Sequence, residues 1–360
     1  MKSNPKIRRK RALISNIVFS LIALFALTVA IITLLAYNAL ETRDEELQKE
    51  YENLYEQASN VKYTEEELNF AVQKAREEEG AEIENSILSN IKDFIASGNS
   101  PYYLFRYLFP NETVVPSNGS YKFFPIIDSI PKNEFSETSF RQDSESGEIS
   151  YVDDSGKVIS KKGIDVSNHN GTIEWDKVAD DGVEFVMIRA GYRGSTEGGL
   201  VVDGNFRKNI EGALEAGIPV GVYFYTQALT PAEAIEEAEF VISLIKDYDI
   251  TYPVAYDIEY TEGRTSEMSQ KEFTDCAEAF LRTVSDAGYS PMLYGNLNSM
   301  FVMTDYETLK GYERWFAYYG FPVYNHYKFR IWQYSDQGTV DGITGNVDLN
   351  ICMEEYKDRG

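Results

Sequence analysis

The sequence predicts a trimmed α/β barrel in its C-terminal half, preceded by a transmembrane helix, a helical stalk and a small β-rich segment. Three observations lead to this prediction. From residue 163 onward strand-like runs alternate with helical ones, the last three strands follow too closely for crossover helices, and residues 12–40 carry no charged side chain. Alternation of apolar strands with helices is typical of a parallel sheet covered by helices.

The composition limits the class of protein. The chain has 360 residues, with 34 Lys and Arg against 58 Asp and Glu, for a net charge of −24. This length suits two or three domains, and a hydrophobic fraction of 43% excludes wholesale disorder. The acidity argues against a nucleic-acid partner, because such a surface repels a polyanion. Two cysteines exclude a disulfide-built scaffold, and we expect Cys276 and Cys352 to be separate buried thiols, with pairing as the alternative.

The N-terminal residues predict a signal anchor. Residues 1–16 form a basic tail with six Lys and Arg and no acid, and residues 17–40 form the apolar span. Helical residues rising about 1.5 Å each cross the roughly 30 Å of bilayer hydrocarbon in about twenty residues. The charge bias predicts a single-pass protein of the cell membrane with a cytoplasmic N-terminus. A cleaved signal peptide is the alternative, but the apolar run is too long and no small-x-small site follows it.

Two further segments precede the barrel. Residues 41–100 hold 16 acids against 6 bases and predict an acidic helical stalk. A short heptad-like seam over residues 40–61 is compatible with a weak homodimer, and a solvated monomeric stalk explains it equally well. Residues 101–161 contain short apolar runs broken by turn signals, which indicate a small β-rich module or a connector.

The barrel is assigned to residues 162–354. Its predicted strands are residues 163–167, 185–190, 219–226, 253–259, 290–294, 314–319, 329–334 and 346–351. Its predicted helices are residues 203–216, 231–247 and 269–287. Gly217 and Gly288 follow the first and third of these helices, where a helix C-terminus favours a positive φ.

Carboxylates interrupt strands that should be apolar. Asp257 and Glu259 stand two residues apart at one strand end, so alternation aims both at the same side. Asp165 and Asp348 lie in the first and last strands, which are neighbours in a closed barrel. Four carboxylates around one opening raise at least one pKa and leave an acid beside an anion. Glycosidic cleavage needs a protonated acid for the leaving oxygen and an anion for the oxocarbenium-like centre.

Two other interpretations of these acids remain. Asp165 or Asp348 alone could be a cap or a loop residue. Clustered carboxylates also bind Ca²⁺ or Mg²⁺, but the sequence contains no 12-residue calcium loop and no His pair at zinc spacing. We therefore predict neither a metal nor a cofactor.

Several ordered motifs resemble those of the Chalaropsis-type lysozymes, glycoside hydrolase family 25, over residues 162–354. They are residues 163–171 (GIDVSNHNG), 185–190 (FVMIRA), 216–223 (AGIPVGVY), 257–259 (DIE), 332–335 (WQYS) and 347–350 (VDLN). The resemblance implies a (βα)5β3 TIM-like barrel. It also implies hydrolysis of the β-1,4 bond between N-acetylmuramic acid and N-acetylglucosamine in peptidoglycan.

The same resemblance implies the residue roles. Glu259 would be the general acid, and Asp257 would steer the 2-acetamido group or stabilise the developing cation. Asp165 and Asp348 would tune charge and hold substrate. A covalent intermediate and acetamido assistance both stay open, and the spacing of Asp257 and Glu259 favours assistance.

Aromatic residues at strand ends are the predicted sugar contacts, although each could equally be a core residue. They are Tyr225, Tyr294, Trp315, Tyr318 and Trp332. Arg189 lies in an apolar strand, so we expect it to pair with an acid of the opening and contact substrate. His169 lies in a loop and is interpreted as a turn residue.

The predicted function is that of a membrane-anchored muramidase with an extracellular catalytic domain, acting on peptidoglycan glycan strands. A non-catalytic peptidoglycan-binding scaffold is one alternative. A glycosidase acting on another N-acetylhexosamine polymer is the second.

Overall fold

The computed structural model describes residues 47–49, 65–97, 105–106, 108–117, 119–354 and 356. The chain divides into two compact units, residues 1–108 and 109–360. In the first unit, helix α1 (Glu65–Ser97) is the long described element. The predicted homodimer seam lies outside the described residues apart from 47–49, so it stays a prediction.

The predicted membrane localisation needs correction. Across the part of the chain that the structure describes, every helix is too short or too polar to cross a bilayer. Helix α1 has 33 residues, but charged side chains recur along its whole length. The predicted localisation, a single-pass membrane protein with an extracellular catalytic domain, is therefore wrong on this finding. The proposed basic tail and anchor, residues 1–16 and 17–40, fall outside the described residues.

The second unit begins with two small antiparallel hairpins. The first joins β1 (Glu112–Ser117) to β2 (Ser120–Pro125). The second joins β3 (Phe140–Gln142) to β4 (Ile149–Tyr151). We call residues 109–160 the β-rich module.

Eight strands close the barrel that follows the module. The elements in chain order are β5 (Lys161–Val166), α2 (Trp175–Asp180), β6 (Phe185–Arg193), β7 (Leu200–Val202), α3 (Phe206–Glu215), β8 (Val220–Tyr225), α4 (Pro231–Ile245), β9 (Val254–Asp257), α5 (Gln270–Asp286), β10 (Pro291–Gly295), β11 (Glu313–Ala317), β12 (Ile331–Gly338) and β13 (Val347–Cys352). The order around the barrel is β5–β13–β12–β11–β10–β9–β8–β6, and β6 pairs back to β5. The predicted trimmed barrel is confirmed.

The ends of the barrel follow the chain connections. Strands β5, β6 and β8 to β12 pair in parallel around the barrel, whereas β13 is antiparallel to both of its neighbours. Residues 339–346, between β12 and β13, are too few for the crossover that a parallel pair requires. The short strand β7 and the short helix α2 are additions to the predicted elements.

Local sequence signals set the helix ends. The Thr230 side chain accepts a hydrogen bond from the Glu233 N–H at the start of α4. Ser269 and Glu272 form a capping box at the start of α5. Gly217 and Gly288 adopt φ values of 75° and 83° after α3 and α5, as predicted.

The β-rich module covers the side of the barrel that lacks crossover helices. The Val114 N–H donates to the Tyr324 hydroxyl at 2.9 Å, and the Ile127 N–H donates to the Tyr327 hydroxyl at 2.8 Å. Both tyrosines are almost fully buried. They follow β11, so these two hydrogen bonds join the module to the segment between β11 and β12.

Aromatic packing reinforces this contact. The Phe140 ring meets Trp332 of β12 edge-on, with centroids 5.5 Å apart, and Phe135 lies 5.4 Å from Phe329. Phe140 and Trp332 are both buried. The module and the barrel therefore share one apolar core.

We expect Phe140→Ala to lower the free energy of unfolding by about 3–5 kcal/mol, since it leaves a cavity beside Trp332. Phe123→Ala in the same module is the matched control, because Phe123 is 39% exposed and should cost under about 1 kcal/mol. Urea unfolding followed by tryptophan fluorescence measures both. Equal losses for the two variants would contradict a shared core.

Candidate active site

A polar hollow lies at the carboxyl ends of the barrel strands. Its volume is about 580 Å³, enough for sugar rings. Of the ten predicted site residues, eight line it: Asp165, Arg189, Tyr225, Asp257, Glu259, Tyr294, Trp315 and Asp348. We call Asp165, Asp257, Glu259 and Asp348 the carboxylate ring.

Asp165 and Asp348 face each other where the barrel closes. They are directly paired in register between β5 and β13, which are antiparallel. Burial raises the pKa of Asp165 to about 6, against opposing hydrogen bonds from Asn350, Gln333 and Asp348. Burial, followed by the charges of Asp165 and Asp336, raises the pKa of Asp348 to about 8. At neutral pH Asp165 is therefore largely ionised, whereas Asp348, which faces it, is largely protonated.

Asp257 is the most deeply confined member of the ring. It is the last residue of β9, in register with Tyr225 of β8 and Tyr294 of β10. Its Oδ1 is buried without a hydrogen-bond partner among the described residues. Burial, then the charges of Glu259 and Asp165, raise the pKa of Asp257 well above its usual range. A buried polar atom without a partner in the protein is available to a bound ligand.

Glu259 lies beyond the end of its strand. The predicted strand 253–259 is too long, because β9 ends at Asp257 and Glu259 belongs to the following loop. Its side chain is exposed at the mouth of the hollow, while the walls around its carboxyl limit hydration. Burial first, and then the charge of Asp165, raise its pKa, and Arg189 opposes this. The loop position gives the carboxyl access to a ligand.

Arg189 pairs with an acid outside the carboxylate ring, contrary to the prediction. Its Nε donates to the Asp203 Oδ2 at 2.8 Å, and its NH2 group donates to the side chain of Asn168. The Asp203 side chain is fully buried, so this ion pair is satisfied within the protein. The negative charge of the ring is consequently only partly compensated.

Two predicted sugar contacts belong to the core instead. Trp332 is fully buried, and its indole N–H donates to the Tyr318 carbonyl at 2.8 Å. Its neighbour on β12, Gln333, faces the hollow, so strand alternation turns Trp332 outward to the module. Tyr318 stacks on Phe316 with centroids 5.9 Å apart. Neither Tyr318 nor Trp332 lines the hollow.

The structure adds residues that the sequence analysis missed. Tyr319, next to Tyr318, lines the hollow with an exposed ring, and Gln333 lies at the bottom of the same wall. Asp336 and His169 also line it, so the interpretation of His169 as a turn residue only is incomplete. The WQYS motif indicates the right segment but not the side chain that faces inward.

The described residues contain no group of three or more His, Cys, Asp or Glu that could hold a metal ion. Cys276 and Cys352 are both free and buried.

Comparison with known proteins agrees with this geometry. Residues 164–343, which are 180 of the 360 residues, match Glycosyl hydrolases family 25. The chain belongs to this family. The predicted resemblance is confirmed, and the matched segment contains three members of the carboxylate ring, Asp165, Asp257 and Glu259.

Relatives of the family 25 domain cover part of the chain. The autolytic lysozyme of Clostridium acetobutylicum is 31% identical over 197 residues, which is 54% of this chain and 56% of that protein. The uncharacterized protein YegX of Escherichia coli O157:H7 is 31% identical over 201 residues, covering 52% of this chain and 68% of YegX. The solved modular autolysin LytC of Streptococcus pneumoniae has a TM-score of 0.49 at 24% identity, covering 66% and 57% of the two chains. The chain therefore spans little more than half the length of the autolytic lysozyme.

The raised pKa of Asp348 gives a prediction for stability. In the folded family 25 domain this carboxyl keeps its proton up to about pH 8, whereas the unfolded chain releases it near pH 4. The folded state thus holds the extra proton, and stability falls as pH rises between these values. We expect Asp348→Asn to raise the free energy of unfolding at pH 8 by up to about 5 kcal/mol and to leave it unchanged at pH 3.5.

Urea unfolding at the two pH values measures this difference. Asp341→Asn, at an exposed position, is the control and should change stability by less than about 0.5 kcal/mol at either pH. A destabilised Asp348→Asn at pH 8 would show that the carboxylate is favourable in the folded hollow.

Proposed function

We propose that the chain is a peptidoglycan hydrolase that cleaves the β-1,4 bond between N-acetylmuramic acid and N-acetylglucosamine. The observation that carries this proposal is the convergence of the four ring carboxyls on one hollow with aromatic walls. The name of the Clostridium acetobutylicum relative, an autolytic lysozyme, points in the same direction.

Glu259 is the general acid of the proposed mechanism. Its raised pKa favours the protonated form of the carboxyl, and its exposed position lets it reach a glycosidic oxygen. As the bond between the anomeric carbon and that oxygen breaks, the Glu259 proton passes to the leaving oxygen. The remaining negative charge of the ring favours the developing oxocarbenium ion.

Asp257 positions the neighbouring 2-acetamido group. Its unpartnered Oδ1 accepts the acetamido N–H, which turns the acetamido carbonyl oxygen toward the anomeric carbon. That oxygen then forms the new bond as the glycosidic bond breaks. Water afterwards attacks the same carbon, Glu259 takes a proton from this water, and the acetamido group is released.

Glu259→Gln should lower the rate of peptidoglycan solubilisation by about 10²–10⁴-fold, because the amide cannot donate a proton in the same way. Glu262→Gln is the matched control, since Glu262 is exposed three residues further along the same loop and does not line the hollow. Release of soluble fragments from purified peptidoglycan measures both variants. A non-catalytic scaffold would bind the polymer with no release and would be indifferent to either substitution.

The bond specificity has its own test. Mass spectrometry of fragments released by the full chain should show N-acetylmuramic acid at the new reducing ends. Fragments ending in N-acetylglucosamine would place the cut at the other linkage. Faster hydrolysis of a chitin oligomer than of peptidoglycan would assign the hollow to another N-acetylhexosamine polymer.

A further inference from the structure

Two buried amide side chains meet at one oxygen of Asp165. The Gln333 Nε2 and the Asn350 Nδ2 each donate to the Asp165 Oδ2 at 2.8 Å. Gln333 and Asn350 are directly paired in register between β12 and β13, so both side chains lie on the inner side of the barrel wall. They are 3% and 0% exposed, respectively.

The orientation of the Asn350 amide is fixed by an obligatory donor. The Trp315 indole N–H donates to the Asn350 Oδ1 at 2.7 Å, and an indole nitrogen can only donate. The Asn350 Nδ2 must therefore point toward Asp165. On the other side, the Gln333 Oε1 accepts from the hydroxyls of Tyr294 at 2.8 Å and Tyr319 at 2.9 Å.

We propose that Gln333 and Asn350 are positioning residues that hold Asp165 as the fixed anion of the carboxylate ring. Amide N–H groups prefer an ionised acceptor, and bonds to a carboxylate are stronger than bonds to a neutral acid. Two such donors on one buried oxygen offset the loss of hydration that would otherwise keep Asp165 neutral. The consequence for catalysis rests on the proposed function, whereas the consequence for ionisation does not.

A fixed charge at Asp165 controls the rest of the hollow. The charged or titratable groups that line the hollow around it are His169 after β5, Arg189 of β6, Tyr223 and Tyr225 of β8, Asp257 of β9, Glu259 after β9, Tyr294 of β10, Tyr319 after β11, Asp336 of β12 and Asp348 of β13. The charge of Asp165 raises the pKa of Glu259 and of Asp348. The ionised form of Asp165 thus favours the protonated form of Glu259.

Gln333→Met separates this role from simple packing. Methionine is close to glutamine in volume but offers no N–H, so Asp165 should ionise at higher pH. The acidic limb of the pH–rate profile, which follows the ionisation of Asp165, should move up by about one pH unit. The basic limb should stay in place, because Asp165 is already ionised there. A purely structural defect would lower the rate without narrowing the profile.

Gln337→Met is the matched control. Gln337 lies four residues further along β12, is exposed, and bonds with Asn346 and the Asp336 carbonyl rather than with Asp165. Both limbs should stay in place in this variant.

¹³C NMR titration of the aspartate carboxyl carbons of the full chain gives a readout that does not need activity. The Asp165 midpoint should rise in Gln333→Met and stay in place in Gln337→Met. In the wild type, the side-chain amide ¹⁵N signals of Gln333 and Asn350 should titrate with the Asp165 midpoint, which keeps the test valid if a variant fails to fold. An unshifted midpoint, or amide signals that do not respond, would overturn the proposal. If the Asp165 midpoint shifts in Gln333→Met but the wild-type chain hydrolyses no peptidoglycan, the positioning role of the amides stands and the proposed function is rejected.

Discussion

Closure of the barrel between β5 and β13 is the constraint on which the site depends. This seam pairs Asp165 with Asp348 in register, and two carboxyls confined so closely cannot both ionise near neutral pH. One proton stays in the pair, and the remaining charge acts on Asp257 and Glu259 across the hollow. The electrostatics of the site are thus a product of strand register, since a shift of one residue would turn one of the two carboxyls out of the barrel.

The β-rich module explains how a barrel short of helices stays closed. Strands β10 to β13 have few covering helices, and their outer face needs another apolar layer. Phe140 of the module meets Trp332, whose next neighbour Gln333 bonds with Asp165. A residue far from the hollow therefore supports the wall that positions the ring. In this chain the module belongs to the same compact unit as the barrel.

Much of the barrel could be predicted from the sequence, because apolar runs, turn glycines and helix caps are local signals. All eight predicted strands lie within a few residues of the observed ones, and eight of ten predicted site residues line the hollow. The predictions that failed concern side chains whose orientation or partner is set by residues distant in sequence. Strand β12 is buried on both faces, so alternation alone does not say whether Trp332 or Gln333 faces inward. The partner of Arg189, Asp203, is likewise set by the folded chain rather than by a local pattern. No sequence motif in the β-rich module indicates that it packs against the barrel.

A crystal structure of the full chain with a bound tetrasaccharide of alternating N-acetylglucosamine and N-acetylmuramic acid would show how the hollow holds its substrate. We expect a glycosidic oxygen within about 3 Å of the Glu259 carboxyl. We also expect an acetamido N–H on the Asp257 Oδ1, in the hollow that the carboxylate ring surrounds. A saccharide seated elsewhere on the barrel, with Asp257 still unpartnered, would contradict this expectation.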